Sequence, residues 1–202
     1  MKYNKKQYYQ NIKEQFIGAS IQEVYYEVLN TFDESDTYLD WEISQNIHSI
    51  DMNIIFKLDN GKLIQLFWDS NFYCYGIGLE VLSHFEEKES IKLINVSENV
   101  KISGIIGYRI SDILVSWDIL ESYDVDNKGH FDNTHIARNY VPTLWQILFN
   151  ENINMWIATL EISDNKDPYH WADHLTVFFN RTEIVKYKLE LENVISVNSV
   201  TK

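Results

Sequence analysis

The chain has a single cysteine, two prolines, seven glycines and only three arginines in 202 residues. The lone Cys74 excludes an internal disulfide, so the chain is no disulfide scaffold and gives no sign of an oxidising compartment. With Pro142 and Pro168 as the only prolines and no Gly/Ser-rich run, no flexible hinge is visible, and residues 1–202 read as a single domain. No run approaches the roughly 18 consecutive apolar residues of a spanning helix. The opening Met-Lys-Tyr-Asn-Lys-Lys is not followed by the apolar core or small-residue cleavage site of a signal peptide. A cytoplasmic protein without a membrane partner is therefore expected. Bases are also scarce, with 17 Lys and Arg against 30 Asp and Glu for a formal charge of −13. Such a surface repels phosphate backbones, so nucleic acid is not expected as a direct partner.

What is present is a moderately apolar, aromatic-rich chain (45% hydrophobic, 14% aromatic) with a near-average 23% of charged residues. Tyr8, Tyr9, Ile12 and Phe16 fall at helical spacing and predict one short N-terminal helix over Asn4 to Phe16. Most later segments read as strands. Met52 to Leu58 and Lys62 to Trp68 flank Asp59-Asn60-Gly61, a strong hairpin signal because both central residues of the favoured two-residue turn need positive φ. Tyr73 to Leu82, Ile110 to Leu120, Pro142 to Phe149, Ile153 to Leu160, His174 to Phe179 and Glu183 to Leu191 are further strand candidates, and Asn150-Glu151-Asn152 suits a second hairpin turn. Ile21 to Leu29 has a helix-like spacing but β-branched and aromatic content. A comparison of the two halves decides it in favour of a strand.

Ile17-Gly18-Ala19-Ser20-Ile21-Gln22-Glu23-Val24 is similar to Ile106-Gly107-Tyr108-Arg109-Ile110-Ser111-Asp112-Ile113, at an offset of 89 residues. The turns at Asn60 and Asn150 follow at nearly the same offset, and Gly78 to Val81 falls near His174 to Val177. The expected fold is mainly β (α+β): two divergent copies of a strand–hairpin–strand unit, residues 17–100 and 106–191, packed together with one short N-terminal helix. Each copy has an apolar sheet face to bury against the other.

No catalytic constellation stands out, and neither an enzyme activity nor a cofactor is expected. His170, Asp173 and His174 would share a face on a helix, but Leu175 to Phe179 continues as a strand. In an extended chain positions four apart lie about 13 Å from each other, too far for one ion. Asp124-Val125-Asp126-Asn127-Lys128-Gly129 resembles the start of a calcium loop, yet Lys128 takes the fifth position and His135 the twelfth, so no metal is expected. Cys74 has no base nearby and suits a buried apolar site.

Charge placement is more informative. From Glu14 to Phe56 there are nine acids and no Lys or Arg. Within that stretch Asp33, Glu34, Asp36, Tyr38, Asp40, Trp41 and Glu42 alternate carboxylates with rings, and Ile110 to Asn127 carries five acids with Trp117 and Tyr123. Carboxylates steer a basic partner and pair with its Lys and Arg, while Tyr and Trp supply desolvated anchors. Asp33 to Glu42 are accordingly the predicted partner-binding residues. This acidic-aromatic loop, with strand–hairpin–strand runs such as Phe56 to Ile64, resembles the immunity proteins of bacterial polymorphic or contact-dependent toxins. The resemblance implies a cytoplasmic protein that neutralises a basic toxin domain, such as a nuclease, by occluding it. The alternative expectation is a ligand-binding or enzymatic β-protein with Trp68, Trp156 and Trp171 around a pocket.

Overall fold

The computed structural model describes residues 4–30, 41–72, 74–86, 88–125, 131–162, 167–189 and 194–200. The N-terminal helix α1 (Lys5–Phe16) is capped by Asn4, whose side chain accepts from the Gln7 amide, and it buries Tyr8, Tyr9, Ile12 and Phe16 as their spacing predicts. The first sheet contains β1 (Ile21–Leu29), β4 (Asn53–Leu58), β5 (Leu63–Asp69), β6 (Gly76–Leu82) and β7 (Ile91–Asn95), in the order β6-β5-β4-β1-β7. The second contains β8 (Ile110–Val125), β9 (Phe131–Phe149), β10 (Asn154–Glu161), β11 (Tyr169–Phe178) and the short β12 (Ile195–Ser196), in the order β12-β8-β9-β10-β11. All strand pairings are antiparallel.

The two sheets follow one plan, strand for strand. In each, the first strand pairs with the second through a bulge at its second residue, between Ile21 and Glu23 in β1 and between Ile110 and Asp112 in β8. In each, a late valine closes the far edge: the Val96 amide donates to the Val24 carbonyl, and the Val197 amide to the Ile113 carbonyl. The second copy therefore continues beyond residue 191 to its own edge strand. The copies meet at their matching ends. The Gly18 amide donates to the Ile110 carbonyl (2.9 Å), the Gly107 amide donates to the Ile21 carbonyl (2.8 Å), and Ser20 bridges Arg109. Under the 89-residue offset the two glycine contacts are each other's mirror and the Ser20–Arg109 bridge is its own, as in an isologous interface between subunits.

Both glycines adopt positive φ (+85° and +79°), and a Cβ on either would meet nothing within 4 Å. Gly18→Ala and Gly107→Ala should therefore cost only the left-handed conformation, about 1–2 kcal/mol each and similar to one another in urea unfolding. A cost confined to one site would contradict the equivalence of the two junctions.

One insertion breaks the symmetry. Between β1 and β4 the chain forms β2 (Glu42–Ser44) and β3 (Ile47–Ile50), which leave the first copy and extend the second sheet, with β3 pairing to β11 from Ile47↔Phe178 to Ile50↔Leu175. The second copy instead lengthens its first two strands into an arm, pairing Asp118 to Val125 with 131–141. Pro142 lies opposite Trp117 beside a bulge, where its missing amide removes no regular ladder bond.

A core of both sheets and α1 joins the copies. The Tyr8 hydroxyl donates to the Ile77 carbonyl of β6 and accepts from Trp145 Nε1 of β9 at 2.9 Å, and Tyr9 accepts from Trp117 Nε1 at 2.6 Å. A second cluster covers the opposite face of the second sheet. There Ile47, Leu144, Trp156, Leu160 and Phe178 pack under Ile184 of α3 (Arg181–Lys186) with Tyr187 and Leu189. The expected strand over Glu183 to Leu191 is thus a helix at its start. Asn180 caps it by accepting from the Thr182 amide. It ends in a Schellman turn, in which the Leu189 amide donates to Ile184 and the Lys188 amide to Val185, with Lys188 at φ +53°. A four-residue helix α2 (Val100–Ser103) precedes the second copy.

The Asp59-Asn60-Gly61 hairpin forms with three loop residues instead of two. Leu58 and Lys62 close it, and only Gly61 takes positive φ (+82°). Asn60 serves by accepting the Lys62 amide on its side chain, which removes the need for left-handed backbone at that position. Among the described residues no helix is long and apolar enough to cross a membrane.

Candidate functional site

Of the predicted partner-binding residues, Asp33, Glu34, Asp36, Tyr38 and Asp40 lie outside the described residues. Trp41 is core, only 6% exposed, with its ring edge-on to Tyr26 (5.1 Å) and His48 (4.7 Å), and Glu42 opens β2 half-buried. The other described acids of the Glu14 to Phe56 stretch are mostly engaged. Glu23 pairs with Lys57, Glu27 is buried against Asn53, and Asp51 accepts the Leu29 amide. Trp41 is packed because β3 places His48 in an enclosed cage of Tyr26, Trp41 and Phe179, and the indole forms one wall of it. His48 Nδ1 bonds the Tyr26 hydroxyl at 2.9 Å, and burial lowers the imidazole pKa to about 4.

The exposed rings lie elsewhere, at one end of the second sheet. Tyr123, Tyr140, Tyr169 and Trp171 are all the exposed aromatics among the described residues, and all belong to β8, β9 or β11. On the arm, cross-strand partners project to one face. Ile119 stands opposite Tyr140 there, and Glu121 stands opposite Arg138, with which it forms an ion pair (3.2 Å). Lys5 of α1 lies over the rings of Tyr140 and Trp117, at 5.3 Å and 4.5 Å from their centroids.

Beside the arm, the same sheet end opens into a cleft of about 280 Å³. Asp118 of β8, Thr143 and Leu144 of β9, Thr159 of β10, and His170 and Trp171 of β11 form one wall, and Lys188 and Leu189 beyond α3 form the other. A bulge shapes it. Thr159 and Leu160 are consecutive on β10, but they face Leu175 and His170 on β11, so Trp171 to His174 are looped out. Trp171 takes φ +55°, a left-handed conformation that costs a bulky residue about 1–3 kcal/mol. The bulge turns its indole across the cleft, where Nε1 donates to Asp118 Oδ2 at 2.8 Å. Thr159 is 3% exposed, and its hydroxyl has no partner among the described residues.

No protein-family model, no curated protein and no solved structure matches the chain. The site has to be read from its own geometry.

That geometry relocates the sequence candidates. Trp171 lines a cleft as expected, whereas Trp156 is buried in the second cluster and Trp68 packs on Tyr75 (5.2 Å) in the first sheet. Between the paired His170 and Leu175, Trp171 to His174 form the bulge, so His170 and His174 do not sit on one regular extended run. Among the described residues no three His, Cys, Asp or Glu are grouped to hold a metal ion. Residues 126–130 of the calcium-like turn lie outside the described residues. Cys74 is partly buried against the core, and burial, with the nearby Asp118 charge, raises its thiol pKa to about 11, which opposes nucleophile chemistry. Asp118 sits in the second acidic stretch that the sequence marks. Thr143, Thr159 and Lys188 carry no local signal, because a bulge and a helix terminator bring them together.

Proposed function

We propose that this is an acidic binding protein that neutralises a basic protein partner, in the manner of the toxin-specific immunity proteins it resembles. On this reading the partner docks on the arm end of the second sheet. The supporting observation is the gathering of every exposed aromatic of the described chain at that one end, in a protein of net charge −13. Exposed Tyr and Trp supply large contact area at low entropy cost, and the net negative charge of the chain favours the approach of a cationic partner. Occlusion needs no catalytic group.

The test partner is the basic C-terminal domain of a secreted protein, should one be encoded beside this gene, co-purified with this chain at low and high salt. Tyr140→Ala and Ile119→Asp should each raise the dissociation constant by about 10- to 100-fold, chiefly through faster dissociation. Asn at Asp33, Glu34, Asp36 and Asp40 tests the acidic segment separately, by slower and less salt-dependent association. Unchanged kinetics in the arm variants would remove this docking surface. Failure of every basic partner to bind, with a small molecule bound instead, favours the second reading, a ligand-binding protein.

A further inference from the structure

Two opposite charges line the cleft without neutralising each other. Asp118 and Lys188 both contribute to its wall, yet among the described residues no ion pair joins them, and neither is bridged to another charged group. Asp118 is held in place: the Trp171 indole donates to its carboxylate, and that indole is set by a strained bulge. Lys188 occupies the left-handed position of the Schellman turn, where glycine is the usual residue, and it lines the cleft as an exposed side chain. The remaining lining combines apolar Leu144, Leu189 and the indole ring with the polar Thr143, Thr159 and His170, and the Thr159 hydroxyl has no partner among the described residues. A pocket with a few placed polar groups on apolar walls selects a ligand of matching pattern.

From this arrangement we infer that the cleft binds a small zwitterion with an apolar body, an apolar α-amino acid. Its ammonium pairs with Asp118, its carboxylate with Lys188, and its side chain lies on Leu144, Leu189 and Trp171. A purely anionic ligand would face Asp118, a purely cationic one would face Lys188, and a neutral sugar would leave both charges unmatched as water is displaced. The inference stands apart from the partner reading, since it concerns the isolated protein.

Calorimetric titration of the purified full chain tests it with four probes: L-leucine, N-acetyl-L-leucine, L-leucinamide and D-glucose. L-leucine should bind, and blocking either end should weaken binding at least tenfold. Asp118→Asn should abolish the preference for leucine over its N-acetyl form while keeping the preference over the amide. Lys188→Asn, which tolerates the left-handed backbone, should do the reverse. Matched thermal melts establish that both variants are folded. The assignment fails if leucine shows no heat at millimolar concentration, if the blocked forms bind as well as leucine, or if glucose binds and leucine does not.

Discussion

Phenylalanine in place of Tyr8 is expected to destabilise the protein by about 2–4 kcal/mol. The hydroxyl is wholly buried and does two things at once, accepting from the Trp145 indole and donating to the Ile77 carbonyl. Its removal leaves a buried donor on β9 and a buried acceptor on β6, each worth about 1–3 kcal/mol when stranded. Urea unfolding followed by tryptophan fluorescence should show a lower midpoint with an unchanged slope. Tyr9→Phe strands only the Trp117 indole nitrogen and should cost about half as much. A loss below about 0.5 kcal/mol for Tyr8→Phe would show that this hydroxyl does not tie the sheets together.

Acidification should weaken the fold through His48. In the folded chain burial keeps the imidazole neutral down to about pH 4, whereas the unfolded chain takes up a proton near pH 6.5. Between those values the unfolded state binds more protons, so lowering the pH favours it. The contribution is intact above about pH 6.5, declines on the way to pH 4, and amounts to a loss of about 2–3 kcal/mol by pH 4.5. His48→Asn keeps a polar atom near the Tyr26 hydroxyl and removes the titration. Measured at pH 7 and pH 4.5, the variant should lose about 2–3 kcal/mol less than the native protein, since the other titrating groups are common to both. Equal losses would mean that His48 is protonated in the folded state.

The elements that declare themselves in the sequence are those whose pattern is set locally. The four buried residues of α1 follow the helical period, the strand at Ile21 is recovered by matching it to Ile110, and both hairpin turns carry Asn or Gly where the backbone demands it. What escapes is set by tertiary contact. β2, β3, β7 and β12 are two to five residues long, and all but β2 pair with distant strands, so no periodicity has room to develop. Residues 183–191 alternate like a strand, but Asn180 and Glu183 start a helix, and only Ile184 of it needs burying. The same limit governs the site. Acids and rings between 31 and 42 suggest an anchor surface, yet Trp41 is drawn inward by His48, a residue across the β2–β3 turn. Trp171 reaches Asp118 through a bulge with no counterpart in the hydrophobic pattern.

The exchange of β3 into the other copy's sheet also governs how the polypeptide reaches its native state. Thr176 bonds Ser49 across 127 residues, and Trp145 bonds Tyr8 across 137. Ordering is slow when loops of that size must close before any contact rewards them. On the ribosome, β3 emerges long before β11, so the first copy waits with an unpaired edge until the nascent chain has grown past residue 178. Refolding should therefore be slow and concentration-sensitive, with the β3 edge as the segment most exposed to pairing between molecules.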